Sequence, residues 1–215
     1  MLGDVSLKLC KTHRDLGVLV DSSLRFHPHI AEIVRKSSGL ANQLIRGTVC
    51  RSPKFMITLF ISHIRPIIDY CSTLWNLGYS GDLNKLESLQ RRWTANVEGL
   101  QGLDCMDRVH RLNLYSIRGR LLRSDLIKLW KAFWCEIDVE LLNLSEKQFH
   151  TSTRGHRLKL SIPLCRSDTL RRFLITRVVN VWNSLPDQVI EAQTISTFKS
   201  RLDAHMGEKF YSLTD

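Results

Sequence analysis

The chain has 215 residues, 31 Lys plus Arg against 21 Asp plus Glu, a net charge of +10 and 43% apolar residues. This length and apolar content support a real core in one or two domains and exclude wholesale disorder. The charge points to a polyanionic partner, either nucleic acid or an acidic membrane surface. The longest near-apolar run, 55–61, is too short to span a bilayer, and Asp4, Lys8, Lys11 and Arg14 interrupt any signal-peptide core, so an intracellular protein, in cytoplasm or nucleus, is expected.

In chain order, Val5-Ser-Leu-Lys-Leu-Cys10 alternates apolar and polar residues and Leu16-Gly-Val-Leu-Val20 is a compact apolar run. The polar stretch 11–15 between them predicts a β-hairpin turning there, without an Asn-Gly signal. Pro28 marks a first helical turn, apolar residues from Ile30 to Ile45 recur at helical spacing, and Gly47 marks the end. His27 and His29 flank Pro28, but without a nearby Cys they read as a helix-start loop rather than a metal site. Ser52-Pro53 starts a second helix running towards Trp75, which Pro66 should kink.

Ser80 opens a third helix, with Leu83, Leu86, Leu89, Trp93 and Val97 on one side and Gly99 at its close. A short helix is expected over 106–112, and a longer one capped by Ser116 through about Trp134. Residues 136–150 are weakly patterned and predict a short helix and a loop. From His156 to Cys165, Leu158, Leu160, Ile162 and Leu164 alternate strictly and Pro163 intervenes, which predicts an edge strand. Asp168 caps a helix through about Ser184, and Thr194 or Ser196 caps the last. The fold class is therefore mainly α, with a short N-terminal β-hairpin, a helical bundle and one short strand near 156–165. No repeat or low-complexity linker interrupts it.

The charge is uneven. Window 108–131 holds seven basic residues against Asp125, and window 154–177 holds seven against Asp168. The remaining residues, with 17 basic and 19 acidic, are close to neutral. On a helical wheel Arg120, Lys128 and Lys131 share a sector opposite Leu122, Leu126, Leu129 and Phe133, which predicts a packed face and an outward row of cations. Such a row suits phosphates, whose neutralisation releases counterions. The candidate nucleic-acid contacts are Arg118, Arg120, Arg123, Lys128, Lys131, Arg154, Arg157, Lys159, Arg171 and Arg172. The five tryptophans sit mostly on apolar stripes and read as core rather than as base-stacking platforms.

No phosphate-binding loop, dinucleotide fingerprint, HExxH or GxSxG occurs, and no spacing of carboxylates suggests a two-metal centre. The six cysteines lie at least 21 residues apart with no CxxC pair, so reduced, mostly buried thiols are expected, and no cofactor or metal is predicted. Arg154-Gly155-His156 reads as a turn with a phosphate-contacting arginine rather than as a catalytic histidine.

Six segments in order carry a resemblance: Asp15-Leu-Gly-Val-Leu-Val-Asp21 with Phe26 and His29-Ile30, Ile64-Arg-Pro-Ile-Ile-Asp-Tyr-Cys71 with Trp75, Leu86-Glu-Ser-Leu-Gln-Arg-Arg92, Thr153-Arg-Gly-His156, Arg177-Val-Val-Asn-Val-Trp-Asn-Ser-Leu-Pro186, and Phe198-Lys199 with Leu202-Asp203. Together they resemble the C-terminal part of LINE-type (non-LTR, jockey-like) retrotransposon reverse transcriptases, covering the end of the palm, the thumb and the C-terminal extension. That resemblance implies a palm-end hairpin remnant over 1–26, a helical thumb-like domain over 27–150 and a basic strand-helix extension over 151–215.

In that family polymerisation rests on a palm with paired aspartates in an aromatic-Ala-Asp-Asp motif, which this sequence lacks, as it lacks fingers and an endonuclease. The resemblance therefore implies a non-catalytic remnant of an RNA-directed DNA polymerase. Its partners would be RNA, DNA or an RNA–DNA hybrid held through phosphates, and it would have no membrane partner. Two alternatives stand beside it. One is a host-adopted protein–protein interaction module using apolar surface left by the missing palm; the other is the tail of a longer active reverse transcriptase, joined to an upstream palm.

Overall fold

A computed structural model describes residues 10–134, 156–161 and 167–211. Its only sheet among those residues is an antiparallel hairpin of β1 (Thr12–Asp15) and β2 (Val18–Asp21), with Asp15 opposite Val18 and Thr12 opposite Asp21. The polar stretch expected to be the turn is thus itself a strand. The turn is the two-residue Leu16-Gly17, with φ of 42° and 87°, the left-handed pair that matches strand twist. Gly17 meets that demand freely, whereas Leu16 meets it at a steric cost and is 84% exposed. Of the expected first strand, residues 5–9 lie outside the described residues.

Asp21 joins the hairpin to the helices. Its carboxylate accepts from the backbone N–H of Ser23 at 3.0 Å and of Phe26 at 2.7 Å, closing the turn into α1 (His27–Gly47). Burial alone would raise this carboxyl, but hydrogen bonds from Ser23, Phe26 and Arg25 outweigh it and hold it below the usual carboxylate range.

The predicted helix towards Trp75 is formed in pieces: α2 (Pro53–Leu59), a π-helical turn (Phe60–Ile64), α3 (Arg65–Asp69) and α4 (Ser72–Trp75). Pro66 has no N–H and its ring crowds the carbonyl four residues back. The wide turn before it, in which the Arg65 N–H reaches the Phe60 carbonyl, relieves that crowding without ending the helix. Next come α5 (Ser80–Thr94), α6 (Cys105–Arg111), capped by Asp104 on the Asp107 N–H, and α7 (Ile117–Trp134). Ser116 caps α7 as expected, its Oγ accepting from the Gly119 N–H at 3.0 Å.

The single helix expected from Asp168 to Ser184 is broken at Phe173 into α8 (Asp168–Arg171) and α9 (Leu174–Ser184). The break leaves carbonyls that side chains take up: Thr176 donates to the Leu170 oxygen and Arg177 to the Arg172 oxygen. A short α10 (Asp187–Ile190) and α11 (Ile195–Tyr211), capped by Thr194, follow. The strand expected near 156–165 is not formed over 156–161, and 162–165 lie outside the described residues. Leu158 and Leu160 do turn towards the core side, but their backbone bonds go to side chains. The Leu160 N–H and carbonyl both pair with the Asn183 amide, and the Leu158 carbonyl accepts from the Trp182 indole.

Two apolar clusters meet along α7. Ile117 and Leu121 join a cluster built on Met56, Phe60, Trp75 and Trp93. Leu126, Leu129 and Trp130 join one built on Trp182, Phe198 and Phe210. The four core tryptophans each spend their indole N–H on a carbonyl, of Tyr70, Met56, Ile190 and Leu158. They are core residues, as their spacing indicated; Trp134, at 50% exposure, is not. No described helix is long and apolar enough to cross a membrane.

Candidate nucleic-acid interface

The row of cations expected to point outward from α7 does not do so. This helix is packed by α4, α5, α9 and α11, and every basic residue on it is at least half-buried. Arg120 forks onto the Asp69 carboxylate through Nε at 2.9 and 3.0 Å and through Nη2. Arg123 forks onto Asp203, with Nη2 at 2.8 Å. That contact and burial set the Arg123 guanidinium, whose pKa is raised chiefly by the Asp203 bond. Arg118 donates from Nη2 to Asn84 at 2.9 Å, and its backbone N–H bonds the buried Glu87 carboxylate at 2.8 Å. Lys128 and Lys131 lie half-buried one turn apart on the same helix.

In the second window, Arg172 pairs with Asp168 at 2.9 Å and lies over the Tyr79 ring at 4.4 Å. Arg177 and Asp125 form a buried bidentate pair at 2.8 and 2.9 Å, and Arg177 also donates to the Thr73 carbonyl at 3.0 Å. Burial raises the Asp125 carboxyl to about 6 despite Arg177 and Asn76. Arg157 and Arg171 are exposed, Lys159 is half-buried, and Arg154 lies outside the described residues. His156 is buried, its Nε2 hydrogen-bonded with the Trp182 carbonyl at 3.0 Å, so it belongs to the core rather than to a phosphate-binding turn. The structure therefore does not bring the nine described candidates together on one face. Three of the arginines link helices, Arg118 to α5, Arg120 to α3 and Arg123 to α11, and Arg172 lies against the Tyr79 ring just before α5.

A different set of cations does share a surface. α1 and α5 run side by side in the same direction, because His27 pairs with Asp82 at their starts and Arg92 donates to the Ser38 hydroxyl at 3.0 Å some ten residues on. The outward spine of α1 is Ala31, Arg35, Gly39, Asn42 and Arg46, all exposed, with Arg35 and Arg46 separated by about 20° on the wheel. The outward spine of α5 carries Lys85, whose Nζ pairs with the buried Asp82 carboxylate at 2.9 Å, and Arg92. Laid along the paired helices, Lys85, Arg35, Arg92 and Arg46 form a ridge roughly 24 Å long at 1.5 Å per residue.

Neither helix exposes a carboxylate beside the ridge. Asp82 and Glu87 are buried, and Glu32 is half-buried between Arg14 and Lys36, whose hydrogen bonds, Lys36 first, depress its carboxyl to about 2. Arg35 and Arg46 have no ion-pair partner among the described residues. The small side chains between them leave room for a polymer backbone to approach; a Cβ on Gly39 would meet nothing within 4 Å.

Net charge in sequence windows missed this ridge because its cations come from two helices whose own excess is small, Arg35, Lys36 and Arg46 against Glu32 in α1 and Lys85, Arg91 and Arg92 against Asp82 and Glu87 in α5. The available signal was the shared wheel sector of Arg35 and Arg46 in a helix whose one acid, Glu32, has two basic neighbours in space. Among the described residues no three His, Cys, Asp or Glu side chains converge as metal ligands would. Comparison with protein-family models, with curated proteins and with solved structures finds no match to this chain.

Proposed function

We propose that the protein is a non-catalytic nucleic-acid-binding module that grips a duplex or a folded RNA through its phosphate backbone along the α1–α5 ridge. The observation that carries this reading is the ridge itself: four outward cations over roughly 24 Å, from two parallel helices that expose no acid. The chemistry favours backbone contact without base reading. Lys and Arg neutralise phosphates, whereas Trp75, Trp93, Trp130 and Trp182 are buried and offer no stacking surface. The reading agrees with what the resemblance to a LINE-type reverse-transcriptase thumb implies, a helical element that holds template and primer for chemistry done elsewhere.

The test is a fluorescence-anisotropy titration of a 20-base-pair RNA–DNA hybrid with wild type and with Arg35→Glu/Arg46→Glu/Arg92→Glu at one moderate salt concentration. The variant is expected to bind at least tenfold more weakly with unchanged circular dichroism. Equal affinity would refute the reading.

A second reading, a protein-docking module, is favoured by the hairpin tip. Leu16 is apolar, 84% exposed and held in a left-handed conformation that Asn or Gly would take more readily. Its test is whether Leu16→Asn weakens association with a partner polypeptide while leaving duplex binding intact.

A further inference from the structure

The middle of α1 is weaker than its packing requires. Ser37, Ser38 and Gly39 stand consecutively in a 21-residue helix, and all three are poor helix formers. Gly39 is not there to let a neighbour approach, since a Cβ would meet nothing within 4 Å. Ser37 is wholly buried with its hydroxyl unpartnered, a further local cost. Local rules broken together at one point of a sound helix mark a place where the chain opens or is read. That point lies in the centre of the cation ridge: the Ser38 hydroxyl is 3.0 Å from Arg92 Nη2, and Arg35 is one helical turn away on the same side.

Ser38 also has the flanking chemistry of an acceptor for a kinase with an acidic substrate cleft. Arg35 precedes it by three residues and Lys36 by two, and no acid lies within five residues on either side. We propose that Ser38 is a phosphorylation site that switches off the ridge, a regulation that rests on the nucleic-acid reading above. The γ-phosphoryl group of a nucleoside triphosphate passes to Ser38 Oγ. The new O–P bond replaces the bond to the β-phosphate, the hydroxyl proton goes to the kinase's base, and the nucleoside diphosphate leaves. Kinases take extended segments, and the Ser37-Ser38-Gly39 stretch supplies the local opening. Once the helix re-forms, a dianion at Ser38 lies beside Arg92 and Arg35, draws both into charge-assisted hydrogen bonds and repels a nucleic-acid backbone from the ridge.

The experiment incubates the whole protein with ATP, Mg²⁺ and a basic-directed serine kinase, locates incorporated phosphate by mass spectrometry, and measures affinity for the 20-base-pair RNA–DNA hybrid before and after. The expected result is one phosphate at Ser38, none at that site in Ser38→Ala, severalfold slower incorporation in Gly39→Ala, and duplex affinity lowered tenfold or more. The site falls if a free peptide spanning 33–43 is phosphorylated but the folded protein is not. The switch falls if phosphorylated protein binds as tightly as unmodified protein while the Arg35→Glu/Arg46→Glu/Arg92→Glu variant binds weakly. If that variant binds like wild type, the nucleic-acid reading of the ridge falls instead, and incorporation at Ser38 decides the acceptor site separately.

Discussion

Replacing Gly119 with Ala should destabilise the protein, although the same change in a helix ordinarily stabilises it. Gly119 lies in the first turn of α7, where the backbone of α11 crosses close by, and an added Cβ would sit 2.1 Å from the Phe210 carbonyl oxygen and 2.5 Å from its carbonyl carbon. These are backbone atoms, so the helices themselves must separate by more than an ångström. That separation would loosen the Phe210 carbonyl, which accepts from the Ser116 N–H at 2.9 Å and the Ser116 hydroxyl at 3.1 Å. It caps the start of α7 with the end of α11, an arrangement that the helix dipoles also favour.

Ala gains about 1 kcal/mol over Gly in helix propensity, while overpacking a tight contact costs about 1–3 kcal/mol and loss of the cap about 1 kcal/mol more. The net expectation is a loss of about 2 kcal/mol, or a melting temperature lower by roughly 4–8 °C. Urea unfolding of Gly119→Ala beside Gly207→Ala measures it. Gly207 lies in α11 with nothing within 4 Å of its would-be Cβ, so Ala there should stabilise by about 0.5–1 kcal/mol. A stability gain in Gly119→Ala equal to that control would refute the close helix crossing.

Other expectations follow from single contacts. Leu16→Asn places a residue that accepts the left-handed conformation before Gly17 and buries nothing less, so stability should rise by about 0.5–1 kcal/mol in urea titrations; a loss would contradict the turn geometry. Asp125, raised to about 6 from an ordinary 3.8, favours the folded state when protonated. Its contribution is fully present below about pH 4 and is lost as pH rises through about 6. Asp125→Asn should therefore gain stability relative to wild type between pH 4 and pH 7, and a difference independent of pH would overturn the assignment. Arg120→Ala, which removes the fork onto Asp69, should lower stability by about 1 kcal/mol while changing duplex affinity less than twofold. A tenfold loss of affinity there would return α7 to the interface.

The helices were legible because their apolar residues recur at helical spacing and their ends carry Pro28, Pro53, Ser116 and Thr194. What was misread depended on partners far away in sequence. β1 has no alternation to find, since all four of its residues are exposed, and only Leu16-Gly17 marks its turn. The alternation of Leu158 and Leu160 is real, but the partner is the Asn183 side chain rather than a second strand. On a wheel Arg120 looks solvated, but its carboxylate lies 51 residues away at Asp69, and the one that holds Arg123 lies 80 residues away at Asp203. The ridge was hidden for the converse reason. Arg92 reaches Ser38, one helical turn from Arg35, only because α1 and α5 pack, and charge counted along the chain dilutes each of them.

The central claim is that the exposed cations on α1 and α5, rather than the half-buried cations of α7, meet the phosphate backbone. The direct measurement is the slope of log affinity against log salt concentration for the RNA–DNA hybrid, in wild type and in Arg35→Glu/Arg46→Glu/Arg92→Glu. Four phosphate contacts predict a slope of about −3.6 in wild type, a loss of roughly a hundredfold between 50 and 200 mM salt, and a slope of about −1 or shallower in the variant. The same steep slope in both proteins, or no salt dependence in wild type, would contradict the account.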